Sequence, residues 1–444
     1  MREPPQEPWP KLYQCWQIGH WFQEPSSTDA LEVIEKVVVS GQGLLRAIPS
    51  QSWLRPAVAV ASLGWGANQF APLIVLYQRH GVSAAATELL FGLYAVGLIP
   101  ALLVGGRWSD RVGRKVVVKT ALVLSMLASL VLLVGSTWHV LLFPGRFLTG
   151  ISSGLAFGTG AAWIRELSAG QTHQHAGARR ATVAMTVGFG GGPLVAGLIA
   201  QWVSESQMWP YVPHLVLCVA ALALFVRFDS AMVRTPSPSV AHDAGIHDQG
   251  AVARHLLVTT APFAPWVFGT AAIALAYLPA AVTDHAGSQP LVFAAVATSI
   301  PALAGVLVQP LAARMNSRSG AGLLVPAMMT AVVALIVATW AAAASTVWSV
   351  LIAATALGAA YGVTQFAGLA DIQHTAPPAQ LGAATSAYQA LSYLGFALPY
   401  VLTSVHNHWG WSPTQGLSVV VVLAVLATAW LAVANRAEGR ATDA

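Results

Sequence analysis

"GGRWSDRVGRK", Gly105–Lys115, decides how the rest of the chain is read. Five of its eleven residues are charged, in a chain of 444 residues of which only 9% are Asp, Glu, Lys or Arg. A soluble chain carries about 25%. Long apolar runs flank the segment on both sides, so the cluster must emerge into water where two membrane-crossing helices end. The composition agrees, with 56% hydrophobic residues and a mean hydropathy of +0.62. A net charge of +5 reads as a topology signal and not as the footprint of a nucleic-acid binder. Cys15 and Cys218 are too few for a disulfide framework or a metal site.

Apolar stretches of membrane-spanning length recur near 55–78, 82–105, 116–136, 139–163, 180–203, 212–233, 256–282, 289–312, 321–343, 346–370, 381–405 and 414–435, which makes twelve. Basic residues test the count. Every second connection, together with the C-terminal tail, holds Arg107, Arg111, Arg114, Lys115, Lys119, Arg165, Arg179, Arg180, Arg227, Arg234, Arg254, Arg314, Arg318, Arg436 and Arg440, whereas the opposite side holds Arg79. The positive-inside rule then sets both termini in the cytoplasm of a multi-pass protein of the bacterial cytoplasmic membrane. Residues 1–54 are acid-rich and without a signal-peptide pattern, and read as a poorly ordered cytoplasmic extension. "STDALEVIEKVVV" within it fits a short helix with Glu32 at capping-box spacing from Asp29. The organisation expected is a six-helix bundle over 55–233, a Pro- and Ser-rich cytoplasmic linker over 234–255, a second bundle over 256–435 and a tail over 436–444.

The two halves echo each other. "QPLAARMNSRS", between spans 8 and 9, occupies the place of the opening segment; aligned without a gap, Asp110 meets Ala313, Arg111 meets Arg314 and Gly113 meets Asn316. Gly and Asn both tolerate left-handed backbone, so the turn persists in the second copy and the acid does not. Gly150, Gly154 and Gly158 in span 4 are echoed by Gly358 and Gly362 in span 10. Internal symmetry of this kind is typical of secondary transporters.

The opening segment resembles the loop 2-3 signature of the major facilitator superfamily, roughly G-x-L-x-D-R-x-G-R-K, with Trp108 where Leu is usual. "RFLTGISSG", Arg146–Gly154, resembles that superfamily's span 4 pattern of an arginine followed by spaced glycines. "GFGGGPLVAG", Gly188–Gly197, resembles the span 5 antiporter pattern G-x-x-x-G-P-x-x-G-G through Gly188, Gly192, Pro193 and Gly197, with Ala196 in place of a glycine. The resemblance covers about 55 to 435. It implies an all-α membrane protein of twelve helices in two pseudo-symmetric six-helix bundles, and the third pattern implies export by antiport, as in the drug:proton antiporter group of multidrug efflux proteins.

The resemblance also gives residues roles. Gly106, Asp110, Arg111, Gly113, Arg114 and Lys115 would form a conformational latch on the cytoplasmic side, which Glu166 extends by pairing with Arg114. Arg146 lies about 12 Å into span 4, from the helical rise; a guanidinium at that depth must face the protein interior or a wet cavity. With Gly150 and Gly154 it would tune a proton site or bind substrate. The glycines of span 5 permit close helix approach, and Pro193 withdraws a backbone donor and kinks the helix, so this span would seal the halves against leakage.

Polar and aromatic residues that share helical faces outline a candidate cavity: Trp65, Asn68 and Gln69 in span 1, Tyr361 and Gln365 in span 10, and Tyr388, Gln389 and Tyr393 in span 11. Proton coupling needs a titratable group in the membrane. Glu88 in span 2 is the candidate carrier, with Asp284 and Asp371 at span ends as weaker choices. "GISSG" fits the nucleophile-elbow pattern formally, but Ser152 falls inside a membrane helix and not at a strand–helix turn. His173 and His175 read as solvated loop residues. No nucleotide-binding motif is present, so the expected driving force is a proton gradient without a cofactor or metal. The expected partners are a small hydrophobic substrate, protons and the bilayer, with no nucleic acid, and the expected state is a monomer. A symporter or uniporter for metabolite uptake on the same fold is the alternative, and an intramembrane enzyme or lipid-handling protein a more distant one.

Overall fold

The computed structural model describes residues 53–168, 176–203, 207–227, 246–282, 287–318, 323–377 and 380–442. The N-terminal extension up to 52, the pair His173 and His175, most of the linker and Asp284 lie outside them. Among the described residues, twelve helical segments cross the molecule: α1 Leu54–Arg79, α2 Ala84–Val112, α3 Arg114–Gly135, α4 Leu142–Ser168, α5 Ala176–Trp202, α6 Val212–Arg227, α7 Val252–Ala280, α8 Pro290–Arg318, α9 Leu324–Ala344, α10 Val347–Thr375, α11 Leu381–Trp409 in two pieces, and α12 Pro413–Thr442. Among the described residues, ten single helices are long and apolar enough to cross a membrane. The other two expected spans correspond to a shorter apolar helix, Trp209–Phe225, and to α11. The latter is interrupted by a 3-10 turn at Leu394–Ala397.

Each interruption has a chemical cause. Pro399 lacks an N–H, so the helix around it cannot bond back to Gly395, and Gly395 lies where a methyl would strike the α7 backbone at Pro265 and Gly269. In α1, Pro72 cannot donate to Asn68; Ala71 N–H turns to that carbonyl instead at 3.0 Å, which leaves the Ala67 carbonyl without its helical donor. In α7, two π-helical stretches, Leu256–Thr260 and Ile273–Tyr277, adjoin Pro262, Pro265 and Pro279. The Val258 carbonyl, which a donor at position 262 would normally serve, instead accepts the indole N–H of Trp430 in α12 at 2.9 Å.

Elsewhere the boundaries follow capping rules. Ser83 accepts from Ala86 N–H at the start of α2, and Thr346 and Ser349 form a capping box at the start of α10. Two helices reach into segments read as linker and tail: one begins at Ile246 and runs into α7, and α12 continues to Thr442. Both segments are polar extensions of apolar helices, and a helix need not end where its membrane-crossing part does.

Within each half the same device draws helices together. A methyl on Gly150 would strike the Tyr94 carbonyl and one on Gly154 the Leu98 carbonyl, so α4 lies directly against α2. In the second half Gly358 faces Pro301 and Gly362 faces Gly305, so α10 lies against α8 in the same way. These contacts correct the register of the repeat: Tyr94 matches Pro301 and Leu98 matches Gly305. Asp110 therefore falls opposite Ser317, about one turn beyond Ala313. The second copy lacks the acid in either register.

The two halves join along two seams, α5 against α8 and α2 against α11. Trp138, Trp202, Trp209, Trp348 and Trp409 are exposed and lie at the helix ends opposite the Gly113 turn, as interfacial tryptophans do. That end is called the far end below, and the end with Gly113 the loop end.

Candidate functional site

Arg146 is the largest fully buried side chain of those described, at 1% exposure. Its Nε donates to the Leu90 carbonyl and its Nη1 to the Ala67 carbonyl, both at 3.2 Å. The guanidinium carbon lies 4.8 Å from the centre of the Phe70 ring and 5.0 Å from that of Tyr94. The side chain thus points inward between α1, α2 and α4, as expected for an arginine at that depth, and does not reach for the surface. Carbonyl dipoles and ring faces solvate the charge. Gly150 and Gly154, grouped with it from sequence, act by letting α4 approach α2.

From Tyr94 a line of rings crosses to the second half. Phe396, at the break in α11, lies 5.1 Å from Phe91 and 5.8 Å from Tyr94 of α2. It also lies 5.3 Å from Phe268 of α7, which stacks on Tyr393 at 4.2 Å and approaches Tyr361 at 5.4 Å. Rings in offset or tilted contact gain about 0.5–1.5 kcal/mol per pair beyond area burial. Tyr361 and Tyr393 from the candidate cavity belong to this seam. Phe268, Phe396, Phe91 and Tyr94 were not singled out, because isolated aromatics in apolar helices carry no sequence signal.

The rest of the cavity set does not assemble around one space. Trp65 packs over Gly191 and Gly192 of α5. Asn68 and Gln389 are half-buried. Tyr388 is fully buried between α10 and α11, 3.4 Å from the side-chain oxygen of Gln365, and Gly368 leaves room for its ring. Gln69 faces away from the seam into a polar network inside the first half. Its amide donates to Ser129 Oγ at 3.1 Å, Ser129 lies 2.7 Å from His214 Nδ1, and Cys218 Sγ and Ser125 Oγ lie 3.3 and 3.4 Å from Nε2. Gly66 creates the space for that imidazole. His214 was overlooked because a lone histidine at the start of an apolar run looks like a loop residue. Apart from Cys218 one turn on, its partners Ser125 and Ser129 come from α3, far away in sequence.

At the loop end, Gly113 takes φ +93°, a conformation that favours glycine, between α2 and α3. Arg114 pairs with Asp110 at 3.0 Å and with Glu166 of α4 at 3.1 Å, and donates to Ser109 Oγ at 2.6 Å. The pairing of Glu166 with Arg114 read from sequence is present, and the whole network belongs to the first half. Arg111 is exposed and Lys115 half-buried. Gly106 stands in open space; it is Gly105 that packs on Gly154 and Leu155 of α4. A comparable pair at the loop end of the second half joins His255 Nε2 of α7 to Asp371 of α10 at 2.7 Å.

The span 5 pattern divides between two surfaces. Gly188 and Gly192 face Ala61 and Trp65 of α1, while Gly197 faces Leu291 and Ala295 of α8 across the seam. The helix runs through Pro193 without a break. One turn beyond Gly197, Gln201 clamps the far end: its amide donates to the Ser288 carbonyl at 3.2 Å and its oxygen accepts from Leu291 N–H at 3.0 Å. At the same end of the molecule, in α2, Glu88 is 1% exposed, with Oε2 unpartnered.

Comparison with known proteins gives a consistent picture of the fold. A stretch of 90 residues is 34% identical to the Multidrug resistance protein MdtL of Klebsiella pneumoniae subsp. pneumoniae; the match covers 20% of this chain and 22% of that protein. Among solved structures, a POT family transporter in complex with 5-aminolevulinic acid superposes with a TM-score of 0.66 at 11% identity, over 86% of this chain and 95% of that one. A D-xylose-proton symporter gives 0.63 at 17% identity, over 85% and 96%. The nucleoside transporter NupG, solved as a point mutant, gives 0.65 at 13% identity, over 87% and 99%. These likenesses show the fold. The family model described as Major Facilitator Superfamily matches residues 56–400, and the chain belongs to that superfamily of membrane transporters.

Proposed function

We propose that this transporter exports a small hydrophobic compound in exchange for protons, its two halves rocking about a site at the aromatic seam. The observation that carries this reading is the position of Gly197. The last glycine of the antiporter-like pattern forms a backbone-close contact between α5 and α8, where the halves must separate if substrate is to leave. The short stretch similar to a multidrug resistance protein supports export over uptake. An aromatic seam with one buried guanidinium and few other polar groups suits an apolar substrate.

In this reading Arg146 tunes the site and Glu88 carries the proton. Asp110, Arg114 and Glu166 latch the loop end in one state and release it in the other. The loop end is cytoplasmic by the charge rule, the protein is a monomer of the cell membrane, and the proton gradient replaces any cofactor. The test is reconstitution in vesicles with an imposed pH gradient and a panel of lipophilic dyes. Uphill dye movement that collapses with a protonophore is expected. Movement of dye and protons in the same direction would favour the symport alternative, and no uphill movement would sink the export reading.

A further inference from the structure

On the outer surface of the second half, α8 and α10 leave a groove of about 440 Å³ between them. Ile300, Leu303, Leu307 and Leu311 of α8 line one side, and Thr355 and Ala359 of α10 the other. Leu307, on its rim, is 79% exposed. The lining is apolar, because the Thr355 hydroxyl donates to the Leu351 carbonyl of its own helix at 2.9 Å. Ala359 comes two residues before Tyr361, so it lies about 200° around α10 from the ring that approaches Phe268 in the seam. The groove therefore faces the bilayer and is separate from the aromatic seam.

A break in the internal repeat creates this groove. In the register set by Gly150 and Gly358, Thr355 and Ala359 match Phe147 and Ile151 of α4. The first half carries large side chains where the second carries small ones. The basic residue beyond the groove is common to both halves: Arg314 matches Arg107 in the register set by Tyr94 and Pro301. Leu307, Leu311 and Arg314 follow at spacings of four and three and so share one face of α8. Arg314 is exposed and stands where the apolar stretch Pro290–Met315 ends, at the loop end. From Ile300 to Leu311 the groove runs about 16 Å at the helical rise, close to half of a hydrocarbon core about 30 Å thick.

We propose that this groove holds one acyl chain of an anionic phospholipid from the leaflet at the loop end, with the phosphate group at Arg314. The chain gains little from hydrophobicity, since lipid tails are as apolar as leucine. What it gains is contact: an unfilled groove forfeits dispersion attraction along both walls, and a flexible unbranched chain can follow a helix. The choice among lipids then falls to the headgroup. A guanidinium pairs with phosphate oxygens through charge-assisted hydrogen bonds. A net-negative headgroup keeps that attraction whole, whereas phosphatidylethanolamine brings an ammonium that opposes Arg314.

The test is native mass spectrometry of the full chain in detergent, supplied with equal amounts of phosphatidylglycerol and phosphatidylethanolamine bearing the same chains. The wild type should retain one phosphatidylglycerol in preference. Arg314→Gln should lower that preference about fivefold. Arg107→Gln, at the matching place of the half with the larger side chains, should leave it unchanged. Thr355→Phe combined with Ala359→Ile copies the first half into the groove and should abolish retention. Arg314→Gln alters only an exposed side chain, so it decides the matter even if the double variant fails to fold. Equal retention of both lipids, no change in Arg314→Gln, an equal loss in Arg107→Gln, or full retention in a folded double variant overturns the proposal. Displacement of the lipid by a lipophilic dye, one for one, also overturns it and makes the groove a substrate site.

Discussion

Arg146 Nη1 donates to the Ala67 carbonyl at 3.2 Å, an acceptor that is free because Pro72 forces Ala71 to bond to Asn68 instead. A proline in one helix thus makes the place where another helix can bury a cation. Hydrogen bonds from charged donors contribute about 1.5–3 kcal/mol each, and a desolvated cation over a ring about 2. Arg146→Lys keeps the charge but cannot reach both carbonyls while lying over both rings. We expect a loss of about 3 kcal/mol in stability and at least a tenfold fall in dye transport. Thermal unfolding in detergent and vesicle transport check the two effects separately.

The Arg114 network predicts a different balance. Asp110 and Glu166 are 56% and 50% exposed, and exposed pairs contribute at most about 1 kcal/mol. Asp110→Asn and Glu166→Gln should each leave the unfolding temperature nearly unchanged. As a latch, the network should still matter to turnover, so transport in Asp110→Asn should fall several-fold. Wild-type turnover in both variants would reduce these residues to solvated loop charges.

Gln201 ties α5 to the start of α8, its amide nitrogen to Ser288 just before the helix and its oxygen to Leu291 in the first turn. Gln201→Ala removes two bonds across the seam, each contributing about 1 kcal/mol. The far end should open more often, which spin labels across α5 and α8 detect, while the stability of each half stays near wild type. Gly197→Val acts at the same seam by a steric route, because its first carbon already meets Ala295. It should hold the halves apart and slow transport without the cost of a core cavity.

The His214 network is structural in the first instance. Ser129→Ala leaves His214 Nδ1 and the Gln69 amide without their shared partner. Buried groups orphaned in this way cost about 1–3 kcal/mol each. Gly66→Ala places a methyl where the imidazole stands and should destabilise by a similar amount through overpacking, about 1–3 kcal/mol. Both effects should appear in thermal unfolding at neutral pH. A Ser129→Ala protein as stable as wild type would show that water replaces the hydroxyl.

Sequence alone determined what the bilayer dictates. A lipid solvent demands long apolar runs, gathers arginines on one side and admits charge only where it is sheltered, so the helix count, the sidedness of the basic residues and the inward position of Arg146 were legible in GGRWSDRVGRK and its surroundings. The turn at Gly113 was legible too, because the backbone there needs φ of +93°, and so was the reach of Glu166 to Arg114, one short loop motif to the end of α4. Tertiary structure alone decided which polar groups meet. Gln69 and Tyr388 read as cavity residues, yet each is turned into its own half, since side-chain direction depends on where a helix packs and not only on its period. His214, Gln201 and the rings around Phe396 gained their roles from partners more than 80 residues away in sequence. The breaks in α1, α7 and α11 came from prolines visible in the chain, but only packing showed which carbonyls they free and that Trp430 and Arg146 occupy two of them.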